Sequence, residues 1–333
     1  MVNDKKEVIF QIKNLKTWFP ITKGAFKKVV GHVKAVDDVS LTVYKGETLG
    51  IVGESGCGKS TFGKSVMLLE KPTGGEVLFN YDGEMKDITK FSKEETFKFR
   101  RRVQMVFQDP YSALNPQKKI YTSFEEPLLV HGVKDQASRE DVMQKVLKMV
   151  NIQPDYLMRY PHEFSGGQRQ RLCIARALEV MPDVLICDEP VSALDVSIQA
   201  QVLNLMKDIQ KEMHLTYLFI AHDLSVVQYM ADRIVVMYLG KIVEVADSHA
   251  LYDEPLHPYT KALLSAIPVP DIHLTKKRQV LEGEVPSPIH KPTGCAFHNR
   301  CPHCMEICKT VDPATVQRGK EGHTVACHLY DEK

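Results

Sequence analysis

The chain opens on alternating apolar and polar positions. Val8-Ile9-Phe10-Gln11-Ile12 and Val39-Ser40-Leu41-Thr42-Val43 carry the two-residue period of half-buried strands. Thr22 to Lys34, between them, is basic and contains glycine, and reads as a loop or hairpin insertion. The run from Glu47 to Val52 then ends at Gly53, and a glycine-rich turn leads into a helix-compatible run from Lys59 to Leu69. That order predicts strand, loop, helix.

A polar, mostly helical region is expected from about Lys93 to Met181, with amphipathic spacing at Val142, Val146, Met149 and Val150 and prolines at 110, 116, 127, 154 and 161. Apolar runs return as Val184-Leu185-Ile186-Cys187, Tyr217-Leu218-Phe219-Ile220 and Ile234-Val235-Val236-Met237, with a helical pattern from Val196 to Met213. Short, nearly all-apolar strands alternating with helices predict an α/β fold whose parallel sheet is covered on both faces. After about Tyr252 the composition shifts: Pro255, Pro258, Pro268, Pro270, Pro286, Pro288 and Pro292 precede a cluster of cysteines. The expected division is a main domain over 1–254, with a helical subdomain over about 93–181, and a small extension over 255–333.

Composition narrows the partners. Lys+Arg 43 against Asp+Glu 42 leave a formal charge of +1, which argues against nucleic acid or anionic lipid as the main partner. The basic run Arg100-Arg101-Arg102 is expected to solvate or pair a helix and strand start. No apolar run reaches the 18 or so residues that cross a bilayer, and Met1 to Glu7 is polar, so the chain is expected to stay in the cytoplasm.

Gly53-Glu54-Ser55-Gly56-Cys57-Gly58-Lys59-Ser60, followed by Thr61, fits G-x-x-x-x-G-K-[ST] in the strand–helix context that motif needs. Its glycines let successive N–H groups face one anion, and the helix start adds partial positive charge. Lys59 would bridge the β- and γ-phosphates of a nucleotide, and the Ser60 hydroxyl would ligate Mg²⁺. The run from Val184 to Cys187 leads into Asp188-Glu189. Asp188 is placed to hold the Mg²⁺ and Glu189 to act as the base that polarises the attacking water.

With Gln108 in Val106-Phe107-Gln108-Asp109-Pro110, the stretches Phe164 to Arg171, Ser192-Ala193-Leu194-Asp195 and Ile220-Ala221-His222-Asp223 resemble the nucleotide-binding subunits of ABC transporters, in the family order. The resemblance implies a P-loop NTPase (RecA-like) core with an antiparallel β-subdomain and a helical subdomain. Two such subunits would close head to tail around two ATP molecules. By resemblance, Ser165, Gly166, Gly167 and Gln168 form the signature that grips the partner's γ-phosphate, with Phe164 where the family often has Leu. Standing alone, Ser-Gly-Gly-Gln would be a helix cap. His222 is the switch histidine on the γ-phosphate, Gln108 reaches Mg²⁺ and the water, Asp195 communicates across the dimer, and Phe19 (or Trp18) stacks on adenine. The membrane subunit is expected to dock in a groove near Gln108 with Tyr111 and Leu114. Cys173 and Cys187 read as buried small apolar residues.

Leu256-His257-Pro258-Tyr259-Thr260, Leu281-Glu282-Gly283-Glu284 and Gly294-Cys295-Ala296-Phe297 resemble the C-terminal extension of di- and oligopeptide importer ATPases, which have nickel-importing relatives. Leu69 to Gly75 and Tyr160 to Ser165 resemble the F-type subunit. The resemblance implies ATP hydrolysis powering peptide import, a D-type companion ATPase, two transmembrane permeases and an extracellular peptide-binding protein, at the cytoplasmic face of the plasma membrane. Nickel or another small solute is the alternative cargo. A soluble non-transport ABC ATPase is the alternative class, disfavoured by the single P-loop and the lack of heptads.

Five of the eight cysteines lie at or beyond 295, spaced Cys295-x5-Cys301-x6-Cys308-x18-Cys327 with Cys304 between. Spacing alone, with His298, His303, His323 and His328 nearby, points to zinc. The resemblance points instead to a four-iron four-sulfur cluster on Cys295, Cys301, Cys308 and Cys327. A disulfide is disfavoured by the expected cytoplasmic setting. Any of these would staple a proline-rich tail too small to fold alone.

Overall fold

The computed structural model describes residues 6–24, 26–267, 281, 283–319 and 322–331. Pro268, Pro270, Glu282 and the first residues from Met1 lie outside the described residues. In chain order the elements are β1 (Val8–Lys23), β2 (Lys28–Tyr44), β3 (Thr48–Val52), α1 (Lys59–Val66), β4 (Gly74–Tyr81), β5 (Glu84–Asp87), α2 (Lys93–Arg102), β6 (Val103–Val106) and α3 (Pro110–Ala113). They continue as α4 (Ile120–Val130), α5 (Gln136–Met149), α6 (Gly166–Leu178), β7 (Val184–Asp188), α7 (Val196–Met213), β8 (Thr216–Ile220) and α8 (Leu224–Met230). The last are β9 (Arg233–Tyr238), β10 (Lys241–Asp247), α9 (Ser248–Asp253), α10 (Pro258–Ser265), α11 (Glu306–Thr310), β11 (Thr315–Gln317) and β12 (Thr324–Ala326).

The chain divides into two compact units. The first comprises Met1–Tyr44, Thr48–Lys90 and Ala221–Lys333, the second Lys45–Glu47 and Phe91–Ile220.

In the first unit the strands β2-β1-β4-β5 form an antiparallel sheet, with Phe10 opposite Phe79 and their rings 4.9 Å apart. The Thr22 to Lys34 stretch is the distal end of the β1–β2 hairpin, whose paired register runs out to Lys23 and Lys28. A second set of strands runs β11-β12-β10-β9-β3, of which β3 and β9 are parallel and the rest antiparallel. Every residue of β3 is buried, which is why it reads as a continuous apolar run.

In the second unit β6, β7 and β8 are parallel, and all five residues of β7 and of β8 are buried. A strand also interrupts the region expected to be helical: Val103-Gln104-Met105-Val106 is β6, paired with Val184 to Cys187. Four residues are too few to establish a two-residue period, so pairing with β7 decides their state. Just before it, the three arginines close α2, where they complement the carbonyl end of the helix, and Arg102 donates to Asp183 at 2.5 Å.

The C-terminal extension is held by protein groups. β12 pairs with β10 through Glu244↔Val325 and Val245↔Thr324. Glu244 is fully buried and accepts from the N–H of Leu256 (2.7 Å), the N–H of His257 (2.9 Å) and His323 Nε2 (2.8 Å), enough donors to offset its desolvation. Phe297 packs edge-on against Tyr238 at 5.2 Å and tilted against Tyr259 at 5.4 Å. Strand addition and this aromatic cluster fasten the extension to β10 and to Tyr238 and Tyr259.

Candidate functional site

In the first unit β3 delivers the chain into the phosphate loop and α1 leaves it. Gly58 has φ +105°, and a Cβ there would lie 2.0 Å from the Ala35 carbonyl oxygen. A Cβ on Gly53 would meet the Met237 oxygen at 2.2 Å. Both positions therefore require glycine, which explains the fixed ends of the motif. Lys59 is 5% exposed and its ammonium donates to the carbonyls of Gly53 (2.7 Å) and Glu54 (3.2 Å), so the loop wraps the charge that would meet a phosphate. Ser60 and Thr61 occupy the first turn of α1, while Ser55 and Gly56 are exposed at the loop tip. Cys57 is buried under the loop, and burial raises its thiol pKa, keeping it neutral beside Lys59.

Two further predicted residues belong to this unit. His222 is exposed, set between Ala221, whose N–H donates to Ile51 O at 3.2 Å, and Asp223, whose carboxylate caps α8. Trp18 donates from Nε1 to Asp37 at 3.1 Å and carries the Lys34 ammonium 4.5 Å above its ring. Phe19, opposite Val33 on the neighbouring strand, is half-buried.

In the second unit β7 ends in the buried Asp188, and Glu189 follows with φ +47°, an uncommon left-handed conformation for a residue with a side chain. Its N–H donates to Ile220 O at 2.9 Å, and its carboxylate accepts from Gln108 Nε2 at 2.9 Å. The structure thus brings together the predicted base and the predicted water-positioning amide. Ser165 caps α6 in a reciprocal box with Gln168: the Gln168 N–H donates to Ser165 Oγ (3.3 Å) and the Ser165 N–H to Gln168 Oε1 (3.0 Å). The bland helix-cap reading is correct as local structure, and it leaves the start of α6 presenting Gly166 and Gly167. A Cβ at Gly167 would lie 2.4 Å from Ile198 Cγ2, so close approach of α7 demands glycine there. Phe164 is buried edge-on to Tyr156 at 5.9 Å, an apolar anchor in the expected Leu position. Asp195 is the exposed N-cap position of α7.

One expectation is corrected in part. Tyr111, 61% exposed with the Arg169 guanidinium 3.8 Å from its ring centre, and Leu114 border one open groove, but Leu114 is 1% exposed and its side chain belongs to the core. Its apolar character reports packing. Cys173 and Cys187 are buried, and burial pushes the Cys173 thiol up to about 12, in keeping with inert core residues.

All eight cysteines are free thiols. Among the described residues no three His, Cys, Asp or Glu side chains converge as the ligands of one metal ion would. Three of the four histidines that spacing offered to zinc are engaged elsewhere: His323 with Glu244, His328 with Asp331 (2.7 Å) and Val311 O (2.9 Å), His298 with Cys295 O (2.9 Å). Cys295 nevertheless feels the charges of Cys308, Cys327 and Cys301, and Cys327 those of Cys301 and Cys308. Burial first, and this mutual repulsion next, push Cys295 and Cys327 up to about 11, whereas Cys304 is exposed. At neutral pH Cys295 and Cys327 would be thiolates only beside a cationic group.

Sequence reasoning missed a further constellation around the phosphate loop. Arg300 forks onto the Glu54 carboxylate, and Tyr259 Oη accepts from the Glu54 N–H at 2.8 Å. Glu54 is a free position in the motif, so only its motif neighbours drew notice.

A glycine-locked phosphate loop between a buried strand and a helix, with an acidic pair leaving a parallel strand, defines a P-loop nucleotide-binding protein of the α/β class. The ABC transporter family matches residues 36–192, and the family of the oligopeptide/dipeptide transporter C-terminal region matches residues 243–308. The chain is 52% identical over 333 residues to the oligopeptide transport ATP-binding protein AppF of Bacillus subtilis (strain 168), covering 99% of this chain and 100% of that one. It is 48% identical to a probable peptide ABC transporter ATP-binding protein of Sinorhizobium fredii, covering 97% and 90%. The solved ATP-binding cassette MJ0796 bound to ADP and Pi is similar at TM-score 0.62 and 28% identity, over 72% of this chain and 99% of that one. The chain therefore belongs to the ABC transporter ATPases, in the branch that carries the oligopeptide/dipeptide C-terminal region.

Proposed function

We propose that this chain is the F-type ATP-hydrolysing subunit that powers import of di- or oligopeptides through membrane permeases fed by an extracellular binding protein. The observation that carries the reading is that one chain matches the ABC transporter family over residues 36–192 and the oligopeptide/dipeptide transporter C-terminal region over residues 243–308. No helix among the described residues is long and apolar enough to cross a membrane, which suits a peripheral subunit working through permeases on the cytoplasmic face. A D-type companion would complete the pair, as the F-type features imply.

In this mechanism Lys59 and the N–H groups from Gly53 to Thr61 would hold the phosphates, Phe19 would stack on adenine, and Ser60, Gln108 and Asp188 would be the residues that hold Mg²⁺, which would offset the phosphate charge. Glu189 takes the proton of the attacking water while His222 steadies the γ-phosphate. The hydrogen bond from Gln108 holds the Glu189 carboxylate at 2.9 Å, and that contact would be exchanged for others when water and metal bind. Ser165 to Gln168 would grip the nucleotide on the partner's loop, with Asp195 at the seam. ATP then favours the closed pair and hydrolysis releases it, alternately pulling and relaxing the permeases.

For the cysteines, a four-iron four-sulfur cluster on Cys295, Cys301, Cys308 and Cys327 is the group their thiol-only composition suits, with zinc as the alternative. Cys295 senses Cys308, Cys327 and Cys301, and Cys327 senses Cys301 and Cys308, which supports one shared site for the four. When bound it would cross-link the segments carrying those four residues.

The test is affinity purification of the tagged chain from membranes, with partners identified by mass. Two permeases and a second ATPase are expected; recovery of the chain alone, with no membrane protein, overturns the importer reading. Glu189→Gln should retain ATP binding and lose at least 100-fold in turnover, roughly the effect of removing a general base. Hydrolysis near the parent rate would exclude Glu189 as the base.

A further inference from the structure

We propose that Arg300, in the C-terminal extension, is a positioning residue of the ATP site that holds the phosphate loop in its binding shape through Glu54. The proposal rests on the ATP-binding role given above and adds to it a part of the chain outside the nucleotide-binding motifs. Glu54 follows the first glycine of the loop. Arg300 Nη1 and Nη2 donate to its two carboxylate oxygens at 2.7 and 3.0 Å, the bidentate geometry that fixes orientation as well as distance. The Arg300 side chain is 7% exposed and that of Glu54 26%, so the pair is shielded on the arginine side and only partly screened by salt. The Glu54 backbone is also held, since its N–H donates to Tyr259 Oη, and Tyr259 is buried.

These groups are placed by the extension's own fold. Arg300 sits in a short turn in which its N–H donates to Phe297 O (3.0 Å) and the His298 N–H to Cys295 O (3.1 Å). Phe297 is wedged against Tyr238 and Tyr259, and the Arg300 guanidinium lies 5.9 Å from the Tyr238 ring. A second strap lies nearby in sequence: Lys291 pairs with Asp37 at 3.2 Å, the acid that also receives the Trp18 indole.

Charge explains why the pairing bears on nucleotide. A phosphate loop gathers N–H groups and Lys59 around a polyanion, and a bare carboxylate at Glu54 would oppose that field. Arg300 neutralises it and holds it by a fixed fork. Removing Arg300 therefore does two things: it frees the loop and leaves an uncompensated acid beside the bound phosphates. Removing both partners restores neutrality and recovers much of the affinity. A residue that merely packs the extension would show no such recovery.

The experiment compares the full-length parent, R300Q, R300K, E54Q and E54Q/R300Q, purified under anaerobic conditions, by the Kd for a fluorescent ATP analogue and by KM and kcat for ATP hydrolysis. R300Q should weaken binding and raise KM about tenfold with kcat within about twofold, the size of a lost charge-assisted hydrogen-bond pair. R300K should fall between parent and R300Q, because an ammonium restores charge without the fork. E54Q/R300Q should bind more tightly than R300Q. An R300Q affinity within twofold of the parent, or a double variant as weak as R300Q, overturns the proposal. If R300Q is too unstable to assay, R300K and E54Q decide it: both at parental affinity refutes the role. A parent that binds the analogue without hydrolysing ATP would refute the ATPase reading, while the Kd comparison would still judge Arg300.

Discussion

Replacing Glu179 should stabilise the protein, by an amount that grows with pH. Glu179 ends α6, is 3% exposed, and both its carboxylate oxygens are buried without a hydrogen-bond partner. Burial raises its pKa from 4.5 to about 10; the nearby Arg176 pulls the other way but spends a guanidinium N–H on Ala113 O at 2.8 Å. The folded pKa is raised above the unfolded one, so the folded state keeps the proton that the unfolded state releases. The group's favourable contribution is complete below pH 4.5 and is lost as pH rises toward about 10. At pH 7 the penalty depends only on the unfolded value, provided the folded one lies above 7. It is 2.5 units from 4.5, or about 3 kcal/mol at 1.36 kcal/mol per unit.

Glu179→Met keeps the length of the side chain and removes the charge with both unpartnered oxygens. Urea unfolding of parent and variant from pH 4.5 to 8 should give a stability difference that rises by about 1.4 kcal/mol per pH unit. Glu179→Gln should show the same slope with a smaller offset, because its amide is still buried without partners. A pH-independent difference, or a variant less stable than the parent at pH 7, refutes the reasoning. A neutral acid at this position also agrees with the helix: α6 starts at Ser165, where a partner's phosphate is expected, and a carboxylate at its carbonyl end would be repelled by the helix dipole.

Other outcomes are expected. Lys59→Ala should weaken nucleotide binding itself, by about tenfold or more, read by equilibrium binding; parental affinity would remove Lys59 from the phosphate site. Tyr111→Asp should reduce peptide uptake in reconstituted vesicles while basal ATPase survives, whereas Leu114→Asp should fail to fold, because it buries a charge in the core. Iron and sulfide assays on anaerobically purified protein should find about four irons per chain, and Cys308→Ser should abolish them while Cys304→Ser leaves them. Zinc in place of iron would select the alternative group.

What the sequence disclosed depended on whether a residue's role was local. The loop from Gly53 to Ser60 was legible because its geometry forbids other residues: Gly58 meets the Ala35 carbonyl, and no longer-range knowledge was needed to flag it. Strands β7 and β8 were legible because burial on both faces leaves an unbroken apolar run. β6 was missed because four residues have no period, and its state is decided by β7, about eighty positions on. Leu114 was misplaced for a related reason: an apolar residue beside an exposed tyrosine reads equally as groove or core, and only packing distinguishes them.

The extension shows the sharper form of the same limit. Its cysteine spacing advertised a metal, so attention fell on Cys301 and passed over its neighbour Arg300, whose partner Glu54 lies 246 positions earlier. Three of the histidines advertised with them proved to serve other groups, His323 completing the donor set of the buried Glu244. Spacing reports which residues could share a ligand, but buried charge must find its partner wherever the chain brings one. Two acids of the first unit that anchor the extension, the buried Glu244 and the half-buried Glu54, found theirs in the last 34 residues of the chain, at His323 and Arg300. An ATPase core that satisfies its own acids with a tail has made that tail part of its site, which is why the extension's effect should first be sought in nucleotide affinity.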